Sequence, residues 1–149
     1  MASATTPTRP LRRLAPVVAI ACALALLAGC LTEGQDAVLR ELNADRRAHG
    51  RRELSLHDQA TAKAQAWAEK LARENRLYHS NLSSGITARW CALGENVGYG
   101  SSPAAVQDAY MASSAHRANV LSTTWNGVGV GHAVRGSRHF TVQVFIKTC

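Results

Sequence analysis

Between Asp58 and Leu77 the chain has neither Gly nor Pro, and Ala60, Ala64, Trp67, Ala68 and Leu71 recur three or four residues apart with polar residues between them. That spacing lines one face of an α-helix, with Asp58 placed to cap its N-terminus. A shorter stretch of the same kind, Asp36 to His49, carries Val38, Leu39, Leu42 and Ala48 and stops at Gly50, which suits the end of a helix. Ser102-Pro103 starts a third helix, because Ser caps and Pro fits the first turn; it continues through Val106, Ala109, Tyr110 and Ser113.

The period then falls to two. Gly127 to Val134 and His139 to Lys147 alternate, the second with Phe140, Val142, Val144 and Ile146 on one face and His139, Thr141, Gln143 and Phe145 on the other. Arg135-Gly136-Ser137-Arg138 joins them, which predicts an antiparallel hairpin. Tyr78 to Ser102, with Gly85, Gly94, Gly98, Gly100 and many Ser residues, reads as a long loop with room for one short strand around Thr87 to Cys91. Helices first and a hairpin last predict an α+β fold with helices packed on an antiparallel sheet.

Composition changes this picture mainly at the N-terminus. The 149 residues carry a formal charge of +7, but Arg9, Arg12 and Arg13 precede any acid, so the 120 residues from Cys30 onward have 14 basic and 10 acidic side chains. A single globular domain of that size buries roughly two thirds of its surface. A disordered acidic chain, a multidomain protein and a strongly basic nucleic-acid binder are all disfavoured. The uncharged segment Leu14 to Gly29, directly after the cationic residues, reads as a signal peptide at 1–29, too short for a comfortable membrane span of about 20 residues.

That segment ends Leu27-Ala28-Gly29-Cys30, which resembles the bacterial lipobox. Cys30 is therefore expected to be the lipidated N-terminal residue, anchoring a lipoprotein to the cell membrane through a short tether, 30–35, ahead of a domain at 36–149. An ordinary signal peptide with a secreted product is the alternative, and a retained membrane anchor a third. Cys22 leaves with the leader, so Cys91 and Cys149 remain, and in an oxidising compartment such a pair is expected as a disulfide. Chain-entropy arguments give a loop of that size roughly 4 kcal/mol.

Three ionisable residues fall where the chain turns: His79 in Tyr78-His79-Ser80, Glu95 in Gly94-Glu95-Asn96, and His116 in Ser113-x-x-His116-Arg117-x-Asn119-Val120-Leu121. Alone, each is ordinary. In order, however, Leu42-Asn43-x-x-Arg46, Ala64-x-x-Trp67-Ala68, His79-Ser80, Gly94-Glu95-Asn96-Val97, Tyr110-Met111-x-Ser113-x-x-His116 and Gly127-Val128-Gly129-Val130 resemble the bacterial branch of the CAP superfamily. That superfamily unites cysteine-rich secretory proteins, antigen 5 and pathogenesis-related 1 proteins, and the likeness runs from about Ala37 to Phe145.

The resemblance implies an α-β-α sandwich around a three- or four-stranded antiparallel sheet, with a cleft lined by His79, His116 and Glu95 as a catalytic or metal-binding trio. Two neutral imidazoles and a carboxylate suit Zn²⁺ or another divalent cation; without metal the trio is a polar cleft that responds to pH near neutrality. Animal and plant members carry a second Glu where this chain has Ser113, which weakens the metal reading. Arg138-His139-Phe140-Thr141 looks like the histidine signature of eukaryotic members, but the family's cleft His precedes the Gly-x-Gly strand by about a dozen residues, as His116 precedes Gly129, so His139 is read as structural or exposed.

Other motifs carry less. Gly127-x-Gly129-x-Gly131 lacks the following helix of a nucleotide loop, and close strand packing explains it. Arg46, Arg47, Arg51 and Arg52 are read as solvated charges complementing a helix C-terminus, with anionic envelope polymers or lipid headgroups as the alternative partner. Ser80 and Ser113 lie near the cleft residues, but no GxSxG elbow exists.

Three functions follow: a monomeric, membrane-anchored module binding a lipid or cell-wall ligand; a hydrolase with Glu95 as general base; and a structural envelope protein. No cofactor is certain, and nucleic acid is not an expected partner.

Overall fold

The computed structural model describes Met1 and residues 30–149, so the export-signal reading of 1–29 lies outside the described residues. Helix α1 (Glu33–Ala48) begins with a reciprocal cap: Thr32 Oγ1 accepts from the Gln35 N–H at 3.3 Å, and Gln35 Oε1 accepts from the Thr32 N–H at 3.0 Å. The helix therefore starts three residues before Asp36 and takes in the end of the segment read as a tether. Gln35 also donates to the Val130 carbonyl at 3.0 Å, docking this first turn on the sheet.

Helix α2 (Asp58–Glu74) follows a two-residue strand, β1 (Ser55–Leu56). His57, not Asp58, caps α2, its Nδ1 accepting from the Ala60 N–H at 3.3 Å. The helix stops before Leu77 because Asn75 adopts a left-handed conformation with φ 52°.

Strand β2 (Trp90–Gly100) corrects the long-loop reading, since eleven residues of that segment are extended and pair with β4 (Arg138–Thr148). Its glycines are packing requirements rather than turns. A Cβ on Gly94 would stand 2.9 Å from the Trp125 ring, and one on Gly98 2.9 Å from Tyr110. Helix α3 (Pro103–Ala112) starts as expected at Ser102, which accepts from the Ala105 N–H. The chain then breaks at Ser113, extended at φ −97° and ψ 122°, and turns into a separate helix, α4 (Ser114–Leu121), which the sequence pattern does not show.

β3 (Gly127–Arg135) and β4 form the expected hairpin. The sheet order is β1-β3-β4-β2, and β1 runs parallel to β3 while the other pairs are antiparallel. The sandwich is thus α+β as expected, but its sheet is mixed rather than strictly antiparallel.

Both faces of the sheet are covered. On one, Ala60, Ala64, Ala68 and Leu71 of α2 pack on Phe140, Val142, Val144 and Ile146. On the other, Val38 and Leu42 of α1 and Val120 of α4 pack on Val128, Val130 and Phe145. Arg46 joins this second layer, which corrects its reading as a solvated charge. It is buried, and its guanidinium donates to the carbonyls of Arg52 (2.8 Å), Val120 (2.6 Å) and Ser122 (3.0 Å), pinning the end of α4 to α1. Burial and the nearby Arg51 and Arg52 lower its pKa. Arg47 pairs with Glu53, and Arg51 and Arg52 remain exposed.

Candidate functional site: a cleft across the edge of the sheet

β2 is an edge strand, with β4 on one side only. The segment after α2 passes one face of that edge and α4 passes the other. Residues separated by the thickness of the sheet can therefore meet around it, and His79 and His116 arrive from opposite faces.

The first half of the site is built on Glu95. Its side chain is only 3% exposed, and three donors hold it: His79 Nδ1 donates to Oε1 at 2.7 Å, the Ser80 N–H to Oε1 at 3.0 Å, and Ser80 Oγ to Oε2 at 2.6 Å. The His79 side chain is 63% exposed, so the buried carboxylate presents an imidazole to solvent. The segment bearing His79 is fixed on both sides. Trp67 Nε1 donates to the Tyr78 carbonyl at 3.0 Å, with the two rings edge-on at 5.0 Å, and Lys63 Nζ donates to the carbonyls of Asn81 (2.7 Å) and Ser84 (2.9 Å). Burial lowers the Lys63 pKa, opposed by the charge of Glu95.

The second half is His116 in the first turn of α4. Its Nδ1 lies 2.9 Å from Ser113 Oγ, and its ring is tilted over Tyr110 at 5.1 Å. Partial burial lowers its pKa, and His79 is close enough to lower it further through its charge. A buried chain of amides sets this turn. Asn96 Nδ2 donates to the His116 carbonyl at 3.2 Å and to Gln143 Oε1 at 3.1 Å, Gln143 donates to Gln107 at 2.7 Å, and Gln107 donates to Asp45 at 2.8 Å. Asn119 Nδ2 donates back to Asn96 Oδ1 at 3.0 Å. Tyr110, whose hydroxyl bonds the Thr141 carbonyl at 3.0 Å, is fully enclosed, and burial raises its pKa beyond the ordinary phenol range. Of these supports Asn96, Tyr110, Ser113 and Asn119 fall within the sequence motifs, whereas Gln107 and Gln143 carry no such signal.

A cavity of about 430 Å³ adjoins His116, with apolar walls from Leu77, Val97, Val106 and Ala109 and with Tyr110 and Ser113 beside the histidine. A second hollow of about 480 Å³ lies beyond Ser80, between α2 and the segment of Asn81 to Gly85, with Trp67, Lys63 and Lys70 in its wall. The metal reading finds no ready ligand set. Among the described residues no three His, Cys, Asp or Glu side chains are grouped to hold an ion, and both Glu95 oxygens already accept hydrogen bonds.

The remaining sequence candidates fall elsewhere. Cys91 and Cys149 form the expected disulfide, joining the start of β2 to the chain end with Cα atoms 5.2 Å apart. Cys30 is free and exposed. His139 pairs with Gly100, five residues along β2 from Glu95 and so roughly 17 Å away at strand spacing. Its Nδ1 instead contacts His132 Nε2 at 2.9 Å. Gly129 and Gly131 are close-packing residues, as expected, since Cβ atoms there would stand 1.9 Å from the Ala60 carbonyl carbon and 2.1 Å from the Ala64 carbonyl oxygen. Among the described residues no helix is long and apolar enough to cross a membrane.

Comparison with known proteins gives a consistent result. A family profile described as the cysteine-rich secretory protein family (CAP) matches residues 39–146. Among solved structures, an extracellular protein containing an SCP domain from Bacillus anthracis superposes with a TM-score of 0.65 at 24% identity, over 81% of this chain; the chain spans only 45% of that protein's length. An outer surface protein from Borrelia burgdorferi gives 0.68 at 18% identity, covering 79% of this chain and 95% of its own. Venom allergen-like protein 4 from Schistosoma mansoni gives 0.64 at 15%, covering 78% and 89%. At these identities the likeness concerns the fold. No curated protein sequence matches.

Proposed function

Because this chain belongs to the cysteine-rich secretory protein (CAP) family, we propose that it is an extracytoplasmic binding module, anchored through an acylated Cys30, whose edge cleft takes a ligand with an apolar body and a polar head. The observation that carries this reading is the apolar cavity beside His116. Its walls have no charged side chain, while the imidazoles of His79 and His116 supply polar contacts at the cleft. Small-ligand sites have this composition, mostly apolar with a few convergent polar groups. A lipid of the envelope or an apolar wall component fits it. The extracellular description of the Bacillus protein accords with export.

A hydrolase with Glu95 as general base is less well supported, because a base needs a free lone pair facing its water and Glu95 is buried with both oxygens occupied. A purely structural envelope role leaves the cavity unexplained. The direct test is native mass spectrometry of the full chain taken from its own membrane, which should show an acylated Cys30 and a retained apolar ligand. Ala109 is exposed on the cavity wall, so Ala109→Trp fills the space without entering the core. It should weaken binding of a dansyl-labelled medium-chain fatty acid by about tenfold, or about 1.4 kcal/mol, with an unchanged melting temperature. Undiminished binding in that variant would overturn the assignment of the cavity.

A further inference from the structure

We propose that Ser113 and His116 form a nucleophile–base pair that transfers the acyl group of an ester bound in the apolar cavity. The inference rests on that cavity being a ligand site.

Four observations converge. Ser113 Oγ lies 2.9 Å from His116 Nδ1, the separation at which a hydroxyl hands its proton to an imidazole. Ser113 occupies the N-cap of α4, yet its hydroxyl makes no capping bond, so the side chain is committed to the histidine instead of the helix. The pair stands on the wall of the 430 Å³ cavity, whose apolar lining at Val106 and Ala109 would accommodate an acyl chain with its carbonyl beside Ser113. The imidazole is held from behind by the Tyr110 ring, and its backbone by Asn96, so it cannot swing away from the serine at little cost.

The chemistry balances without any group from outside the site except water. Ser113 Oγ bonds to the ester carbonyl carbon as its proton passes to His116 Nδ1, and the carbonyl oxygen becomes an oxyanion. The first-turn N–H groups of α4, which no side chain caps, are the donors available to that oxyanion. The carbon–oxygen bond to the alcohol then breaks, and the leaving alkoxide takes the proton from His116, leaving an acyl ester on Ser113. Water attacks that ester with His116 again accepting a proton, and the carboxylic acid departs with Ser113 restored. The substrate class is an ester of a short or medium apolar acid, limited by the cavity.

The full chain is treated with an alkyl fluorophosphonate, which loses fluoride and phosphonylates an activated serine, and the labelled peptide is located by mass spectrometry. The expected result is one adduct on Ser113, with turnover of p-nitrophenyl butyrate inhibited in step with labelling. Ser113→Ala should remove the adduct, and His116→Ala should slow labelling by about 10²-fold or more. No adduct on the native chain, or an adduct on Ser80 that survives Ser113→Ala, overturns the proposal. Because the adduct is mapped on the native protein, the outcome does not depend on how either variant folds. Binding of the dansyl fatty acid to the same native sample separates the two ideas: binding without phosphonylation sinks the acyl transfer alone, whereas absence of binding sinks the cavity assignment on which it stands.

Discussion

On one face of the sheet α2 lies so close to β3 that a single added methyl would enter the helix backbone, whereas on the other α1, α3 and α4 sit over a buried chain of Gln107, Gln143 and Asn96 that ends at the half-buried Asn119. Small residues against glycine bring a helix down onto a strand and leave no room for adjustment. Buried amides need partners in exact places, and they fix orientation in a way that apolar packing does not. The first face therefore supplies rigidity, and the second supplies the aim of His116. The cleft draws on both, taking His79 from the segment that Trp67 and Lys63 of α2 secure and His116 from the amide-set turn.

The largest effect should come from breaking the close face. Gly129→Ala places a Cβ 1.9 Å from the backbone of Ala60, and helix and strand cannot both stay where they are. Denaturant unfolding should show a loss of about 3 to 5 kcal/mol, and a loss below about 1 kcal/mol would mean the two elements are less tightly fitted than the structure shows. Gln143→Leu tests the other face. It removes the centre of the chain and leaves one Asn96 N–H and the Gln107 carbonyl without their partner, so unfolding should cost about 1 to 3 kcal/mol. Unlike Gly129→Ala, it should also shift the His116 imidazole resonances in an NMR spectrum. If Gly129→Ala moves those resonances as much, the division of labour between the faces is wrong.

The smallest effect is titration. His132 lies on the α1 face with its ring against Gly34 and Nε2 against His139, and burial followed by the charge of His139 lowers its pKa from the usual 6.5. The unfolded chain therefore takes up its proton first as pH falls. Stability is complete above about pH 6.5 and declines as acid carries the solution down through the lowered folded pKa. Thermal melts at about pH 7 and about pH 5 should show the drop, and His132→Asn should flatten it. An equal slope in the variant would assign the sensitivity to His116, whose pKa is lowered in the same direction.

The sequence displays the first face far better than the second. The period of α2 and the Gly-x-Gly strand are visible because small and apolar residues repeat regularly, and the hairpin alternates for the same reason. β2 is obscured because Gly94 and Gly98 resemble turn residues when their crowding by Trp125 and Tyr110 cannot be seen. α4 has eight residues and one fully buried side chain, Val120, too little to make a stripe. Arg46 misleads through its chemistry: its charge reads as facing water, and only the covering of that sheet face makes it interior. His79, Glu95 and His116 are found through family resemblance. The pairing of His116 with Ser113 follows from the break at the end of α3, which residue type alone does not announce.

The start of α1 has a mechanical meaning for a chain held at Cys30. Leu31 already packs against the second core layer and Thr32 is the helix cap, so little slack would separate an attachment at Cys30 from the folded body. Two residues reach at most about 7 Å. If Cys30 carries a lipid, as proposed above, so short a leash would hold the cleft within a few ångströms of the layer next to the lipid headgroups.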